Sequence, residues 1–149
     1  MTPVIRKMRE SDREDLYALL SDPRVMRYLE PPFSREKSEV FLRTAGLSDP
    51  PLIYAAEDED GFAGYIICHD YDEKSAEIGW VLRQERWGQG LASALTGQLI
   101  RVLPPEKELV IECDPAQEAT QRIALKFCFV YEGRADGLDV YRLKRRPGR

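Results

Sequence analysis

Apolar and charged residues alternate over residues 4–8, which predicts a short strand at the start of the chain. Ser11 followed by Glu14 has the spacing of a capping box, and Leu16, Leu19 and Leu20 supply one apolar face of a helix that Asp22-Pro23 ends. Val25, Met26 and Leu29 stay weakly helical up to Pro31-Pro32. Ser34 is placed to cap a second helix carrying Val40, Phe41 and Leu42, closed by Gly46 and Pro50-Pro51.

The period then changes. Residues 52–56 and 62–68 read as strands flanking Asp60-Gly61, a dipeptide suited to a hairpin turn, and a third strand is predicted over residues 76–82. After Gly88-Gln89-Gly90, the positions Leu91, Ala94, Leu95, Leu99 and Val102 recur at helical spacing until Pro104-Pro105. Leu109-Val110-Ile111 is a continuous apolar run, as in a strand covered on both faces. Ala116, Ala119, Ile123 and Phe127 outline another amphipathic helix, and residues 129–131 and 138–143 a last hairpin around residues 133–137. The order β-α-α-β-β-β-α-β-α-β-β, with no repeat or interior linker, gives a mixed α/β fold in one domain over residues 1–149.

A chain of 149 residues that is 43% hydrophobic has enough apolar surface for one core. No run approaches the roughly 20 apolar residues that span a bilayer, and Met1-Thr2-Pro3-Val4-Ile5-Arg6-Lys7 lacks the order of a secretory signal. A cytoplasmic protein with no membrane partner is expected, as a monomer or homodimer. Cys68, Cys113 and Cys128 are odd in number and far apart, which argues against a disulfide framework and against a zinc site. The net charge is −4, unevenly spread. Residues 54–77 hold eight acids (Glu57, Asp58, Glu59, Asp60, Asp70, Asp72, Glu73, Glu77) against Lys74, a local −7. Near the end, Arg134, Arg142, Lys144, Arg145, Arg146 and Arg149 against Asp136 and Asp139 give +4, read as a solvated tail. Without a broad positive footprint the chain does not look like a nucleic-acid binder.

Gly88-Gln89-Gly90 at a helix start offers free backbone N–H groups and close approach, which suits a pyrophosphate. Alone it is equally a tight turn that begins a core helix: Ser93 stands where a dinucleotide fingerprint has its third glycine, and a Walker lysine is missing. The surroundings add to it. Ala76-Glu77-Ile78-Gly79-Trp80-Val81-Leu82, five residues, then Gly88-Gln89-Gly90-Leu91-Ala92 resembles the acetyl-CoA-binding core of the GNAT superfamily of N-acetyltransferases. Gln117-x-x-Thr120-x-x-Ile123-Ala124-x-Lys126-x-Cys128-Phe129 is similar to that family's downstream Asn-x-x-Ser-x-x-Val-Ala-x-Lys-x-Gly-Phe stretch, and residues 20–29 resemble the branch of ribosomal-protein-alanine acetyltransferases.

The resemblance implies a GNAT-like fold and acetyl transfer from acetyl-CoA to a primary amine, either a protein N-terminus or a small amine, without a metal. It places the pyrophosphate arm on Arg86, Trp87, Gly88, Gln89, Gly90, Leu91 and Ala92. It sets the main chain of Trp80, Val81 and Leu82 along the pantetheine, where an N–H can polarise the thioester carbonyl. Three positions depart from the family: Glu85 stands where Gln or Arg is frequent, Gln117 replaces a pantetheine-bonding Asn, and Ala124 replaces a thiolate-protonating Tyr. Cys128 stands at a common Gly.

Direct attack by a neutral amine in a ternary complex requires a base for the ammonium proton, more for a lysine-like amine (pKa about 10.4) than for an α-amine (about 7.7–8.0). Glu77 is the first candidate, or else an outward carboxylate of a half-buried sheet; Asp70 and Asp114 are reserves. Thr120 matches a Ser that can protonate the leaving thiolate, or bonds back to its own helix, and Tyr131 is an alternative donor. His69, without a serine or metal-ligand neighbour, reads as structural or surface, and Cys113, between acids, as a buried strand residue. The rival functions are a small-amine or antibiotic acetyltransferase and a catalytically degenerate acyl-CoA-binding regulatory domain.

Overall fold

The computed structural model describes residues 2–145. The first strand, β1 (Val4–Arg6), is shorter than its alternation suggests because a 3-10 turn, Glu10–Asp12, starts the helical segment early. Ser11 does not cap. Asp12 reaches back instead: its carboxylate accepts the Arg9 N–H at 2.7 Å and the Arg6 guanidinium at 2.8 Å, which ties β1 to the start of α1 (Arg13–Leu20). Asp22 caps α2 (Pro23–Met26) through the Arg24 N–H, with proline at the first helical position where its missing N–H costs nothing. Ser34 caps α3 (Arg35–Phe41) as the sequence predicts, accepting from Lys37 N–H at 3.1 Å. Val40 lies outside, and Ser38 and Leu42 take the inner face as the helix widens into a π turn over Leu42–Gly46.

One seven-stranded sheet follows, comprising β1, β2 (Ile53–Asp58), β3 (Gly61–Asp70), β4 (Ser75–Leu82), β5 (Glu108–Cys113), β6 (Val130–Ala135) and β7 (Leu138–Leu143) in the order β1-β2-β3-β4-β5-β7-β6. Two turns sit differently from the expectation. The β2–β3 loop is Glu59-Asp60, with Gly61 opening β3 at φ +98°; the β6–β7 loop is Asp136-Gly137, both left-handed, so β6 extends to Ala135. Odd-numbered β4 residues such as Val81 face the cluster built on Leu16, Leu20, Met26 and Phe33. Even-numbered ones (Ala76, Ile78, Leu82) face α4 (Leu91–Val102) and α5 (Glu118–Lys126) through Leu95, Leu99 and Ala124. Ala94 and Val102 of α4 are exposed despite their helical spacing, and Thr96 takes an inner place by donating its hydroxyl to the Ala92 carbonyl. Leu109, Val110 and Ile111 are buried on both faces, as their run implies.

All strand pairs are antiparallel except β4 with β5, and there the register runs only from Ser75↔Glu108 to Glu77↔Val110. Beyond Glu77 the two strands part, while β4 stays paired to β3 up to Gly64↔Leu82. Gly64 makes that last pairing possible. It lies at φ +154° beside a bulge in the β2–β3 ladder, and a Cβ there would fall inside the Val81 carbonyl oxygen and 2.8 Å from Leu82 Cα. The arginines near the end of the chain are bonded rather than free: Arg134 to Asp139, Arg142 to Glu108 and Glu132, and Arg145 to the Ile100, Leu103, Pro104 and Lys107 carbonyls, which caps the C-terminal end of α4. Arg146 and Arg149 lie outside the described residues. No helix among the described residues is long and apolar enough to cross a membrane.

Two substitutions test this frame. Cys128 follows α5 at φ +70°, the left-handed position that glycine fills without a Cβ penalty. Cys128→Gly should stabilise the protein by about 1 kcal/mol, read as a higher midpoint in urea. Gly64→Ala should instead cost about 3 kcal/mol or more, because backbone atoms of β4 cannot move aside as a flexible side chain would.

Candidate functional site

The parting of β4 and β5 opens a groove of about 850 Å³ on the sheet. One wall is the loop between β4 and α4. Its 3-10 turn (Gln84–Arg86) is braced from three directions: the Trp87 indole N–H donates to the Leu82 carbonyl at 3.0 Å, the Gln89 amide to the Glu85 carbonyl at 2.8 Å, and the Arg86 guanidinium to Asp58 in β2. Gly88 (φ +75°) and Gly90 (φ +80°) turn the chain into α4. The N–H groups of residues 88–93 take no acceptor among the described residues, and they gather at the N-terminus of a 12-residue helix whose dipole favours an anion.

The predicted loop residues Arg86, Trp87, Gly88, Gly90, Leu91 and Ala92 line this groove with Trp80, Val81 and Leu82 from β4. Two of the loop's side chains are engaged away from the groove. The Arg86 side chain is committed to Asp58, so it steadies the loop rather than meeting a ligand phosphate, and the Gln89 side chain braces the loop from outside the groove lining. Glu85 also lies outside the lining, 3.4 Å from Arg83 and 4.0 Å from Arg24; its charge is answered before it can oppose an anion in the groove.

The opposite wall is α5 and the turn before it. The Gln117 carbonyl oxygen accepts the Asp114 N–H at 2.8 Å, which leaves its NH₂ group as the free donor toward the groove. Thr120 faces the groove, and its hydroxyl makes no bond back to the helix among the described residues, whereas Thr44 and Thr96 both make that bond, to Val40 and Ala92. The third wall, Arg24, Arg27, Tyr28 and Leu29, comes from α2 and the segment after it. These positions lie within the stretch over residues 20–29 that resembles one branch of the family, and their contribution to the groove depends on where α2 lands.

At its inner end the groove adjoins a chamber of about 60 Å³, the two sharing Leu29, Trp80, Val81, Gln117 and Thr120. Glu77 and Glu112 line this chamber from the two diverging strands, and Cys113 lies beside them. Burial holds the Glu77 carboxyl above the usual carboxylate range; nearby His69 pulls it down and Glu112 pushes it further up. The Cys113 thiol is pushed up to about 11 by burial and by Asp139 and Asp114, which removes it as a nucleophile at neutral pH. The reserve carboxylates are elsewhere: Asp70 is paired with Lys107 at 3.2 Å, and Asp114 accepts the Ala116 N–H at 2.9 Å. Tyr131 lines neither cavity, its hydroxyl bonded to Asp139, whereas Tyr28 is among the groove's lining residues. His69 is less isolated than its surroundings in sequence suggest. The β3–β4 register sets it opposite Glu77, with Nε2 3.5 Å from Oε1. Among the described residues no group of three or more His, Cys, Asp or Glu side chains is placed to hold a metal ion.

Solved structures with this architecture differ in the molecules they hold. AAC(6')-Ib in complex with ribostamycin and coenzyme A matches with TM-score 0.82 at 19% identity, over 98% of this chain and 94% of that one. The Vibrio cholerae spermidine N-acetyltransferase in complex with CoA and spermine matches with TM-score 0.77 at 18% identity, over 95% and 93%. A ribosomal L7/L12 alpha-N-protein acetyltransferase in complex with coenzyme A matches with TM-score 0.78 at 21% identity, over 97% and 95%. No curated protein sequence matches. The sequence model of the acetyltransferase (GNAT) domain matches residues 4–130, and with the groove, the glycine turn and the parted strands this places the chain in the GNAT acetyltransferase family.

Proposed function

We propose that the protein transfers an acetyl group from acetyl-CoA to a primary amine by direct attack within a ternary complex. The observation that carries this reading is the junction of the two cavities at Trp80, Val81, Gln117 and Thr120. A long groove bordered by unpaired N–H groups ends there, and a carboxylate with a raised proton affinity, Glu77, lines the chamber beyond.

Acetyl-CoA is a substrate here, and the residues present fit its parts. A pyrophosphate matches the free N–H groups of residues 88–92. The unpaired edge of β4 at Trp80 and Val81 offers main-chain donors and acceptors to the amides of the pantetheine arm, and one such N–H directed at the thioester oxygen would stabilise the charge that grows there during attack. Leu82 contributes less to that edge, since its carbonyl already accepts from Trp87. The Gln117 NH₂ group supplies a further donor.

On the acceptor side, Glu77 takes the ammonium proton so that the neutral nitrogen can attack the thioester carbon. The second amine proton must leave as the amide forms, and the thiolate must gain one. Thr120, with its hydroxyl uncommitted, and Tyr28 are the groups placed to serve the sulfur. The Ala124 departure therefore does not by itself leave the thiolate without a donor, and with Glu85 neutralised the case for a degenerate acyl-CoA-binding domain weakens. The acceptor spans two classes, a protein N-terminus as in the branch that residues 20–29 resemble or a small amine. The three solved structures named above resemble this chain too equally to rank the two classes.

Thiol release from acetyl-CoA, followed with a chromogenic dye over a panel of N-terminal peptides, polyamines and small amines, tests the activity; binding of acetyl-CoA without turnover on the whole panel would overturn it. Glu77→Gln should lower kcat/KM at pH 7 by about 100-fold and abolish the acidic limb of the pH–rate profile, which in the unmodified protein should sit above the ordinary carboxylate range. Gly88→Val should raise the Kd for acetyl-CoA by about 10-fold, since a β-branched residue forced to φ +75° costs roughly 1–2 kcal/mol. Equilibrium titration by calorimetry reads this directly.

A further inference from the structure

The two cavities carry opposite charge. Arg24, Arg27, Arg86, Arg122 and Lys126 line the groove against a single acid, Glu118, although the chain as a whole carries −4. The chamber beyond holds two acids, Glu77 and Glu112, and no base. Main-chain N–H groups at the start of α4 already suit a pyrophosphate, which leaves the groove's cations for a further anionic group.

Three of the five are engaged. Arg24 is held by Asp22 at 2.8 Å and Arg86 by Asp58, and the Arg27 guanidinium lies over its neighbour Tyr28, 5.0 Å from the ring centroid. Arg122 and Lys126 differ. Among the described residues Arg122 meets only Glu118, at 4.0 Å with both side chains largely exposed, and Lys126 forms no ion pair, its Nζ 5.6 Å from the Phe127 ring centroid. The two are four residues apart on α5, hence on one face, and that face lines the groove. A cation in a last helical turn also answers the helix dipole, but that role asks for no particular direction, whereas both of these turn toward the same cavity.

Gln117 and Thr120 mark the inner end of this face, where groove and chamber meet and the thioester would lie. Lys126 is about 9 Å further along the helix axis than Thr120. A coenzyme A with its thioester at the junction carries its nucleotide toward that outer end. There its third phosphate, on the ribose 3′ oxygen, is a monoester with about two negative charges at pH 7. We propose that Arg122 and Lys126 bind this 3′-phosphate and make the donor site selective for coenzyme A over 3′-dephospho-CoA. The inference rests on the reading of the groove as the acetyl-CoA site. Arg122 supplies a planar fork of donors and Lys126 a compact charge, and together they balance the dianion.

Calorimetric titration with CoA and with 3′-dephospho-CoA reads the preference directly. The unmodified protein should bind CoA about 10-fold more tightly, the effect of two charge-assisted contacts at a solvent-exposed position. In the double variant Arg122→Gln with Lys126→Gln, the Kd for CoA should rise to that for 3′-dephospho-CoA, whose own Kd stays where it was and shows the groove intact. Removing the same charge away from the groove, in Lys74→Gln with Arg101→Gln, should leave both values unchanged. In turnover the groove variant should show a KM for acetyl-CoA raised by a similar factor at unchanged kcat, since the contact is the same before and during attack. Equal affinity of the unmodified protein for the two nucleotides, or a preference that survives the groove variant or falls as far in the control, would overturn the assignment. The two readings fail differently: binding of both nucleotides without preference removes only the phosphate site, whereas binding of neither removes the donor site itself.

Discussion

Everything at the site depends on the failure of β4 and β5 to stay paired. Their parallel register holds for three residues and then stops, while β4 is fixed to β3 by seven register pairs and β5 to β7 by five. Each strand is therefore anchored on its far side, and the gap between them is rigid. A backbone group left without a partner in a buried position costs about 1–3 kcal/mol, so an open edge in mid-sheet is expensive unless something with its own donors and acceptors can lie along it. The same parting makes both cavities, sets Glu77 at the last paired position, and lets α5 place Gln117 and Thr120 over the opening.

The loop before α4 is the second rigid part, and its order comes from side chains rather than from the glycines. Gly88 and Gly90 allow the left-handed turns, but Trp87, Gln89 and Arg86 hold the loop to β4, to itself and to β2. Such bracing fixes the free N–H groups before a ligand arrives, which lowers the ordering cost of binding. Arg86 bonded to Asp58 holds that main chain in place, which is the contribution a main-chain anion site, as proposed, would need from it.

The order of strands and helices was largely legible in the chain because it rests on periodicity and caps, as with Ser34 or the Leu109-Val110-Ile111 run. Turn positions were less so. The β6–β7 loop, placed loosely around residues 133–137, comes down to Asp136-Gly137, and the choice among neighbouring turn-formers is decided by cross-strand register, which no local pattern encodes. The glycine loop and the carboxylate Glu77 stood out through their resemblance to a known motif. His69 and Glu112 did not, and Tyr28 and Arg24 lay in a resembling stretch without a site role, because each reaches the site through tertiary placement: His69 by register, Glu112 by the parting of the strands, and the other two by the docking of α2. Ser11 misled for a related reason, since Asp12 could satisfy Arg9 and Arg6 together, and a residue that ties two elements outcompetes one that caps locally.

The acidic stretch over residues 54–77 acquires a narrower meaning in three dimensions. Glu57 is paired with Arg6, Asp58 with Arg86, Asp70 with Lys107 and Asp72 with Arg142, so half of the eight acids fasten elements together and add little to any field reaching a ligand. What remains beside the chamber is Glu77, joined there by Glu112, which is distant in sequence and was not counted in that excess. Two carboxylates on diverging strands, one of them with its proton affinity raised by burial, attract an ammonium ion at short range, where solvent screening is weakest. Selection for a cationic acceptor would then arise from two positions inside the chamber, and the net charge of −4 would be the by-product of ion pairs that hold the sheet in shape.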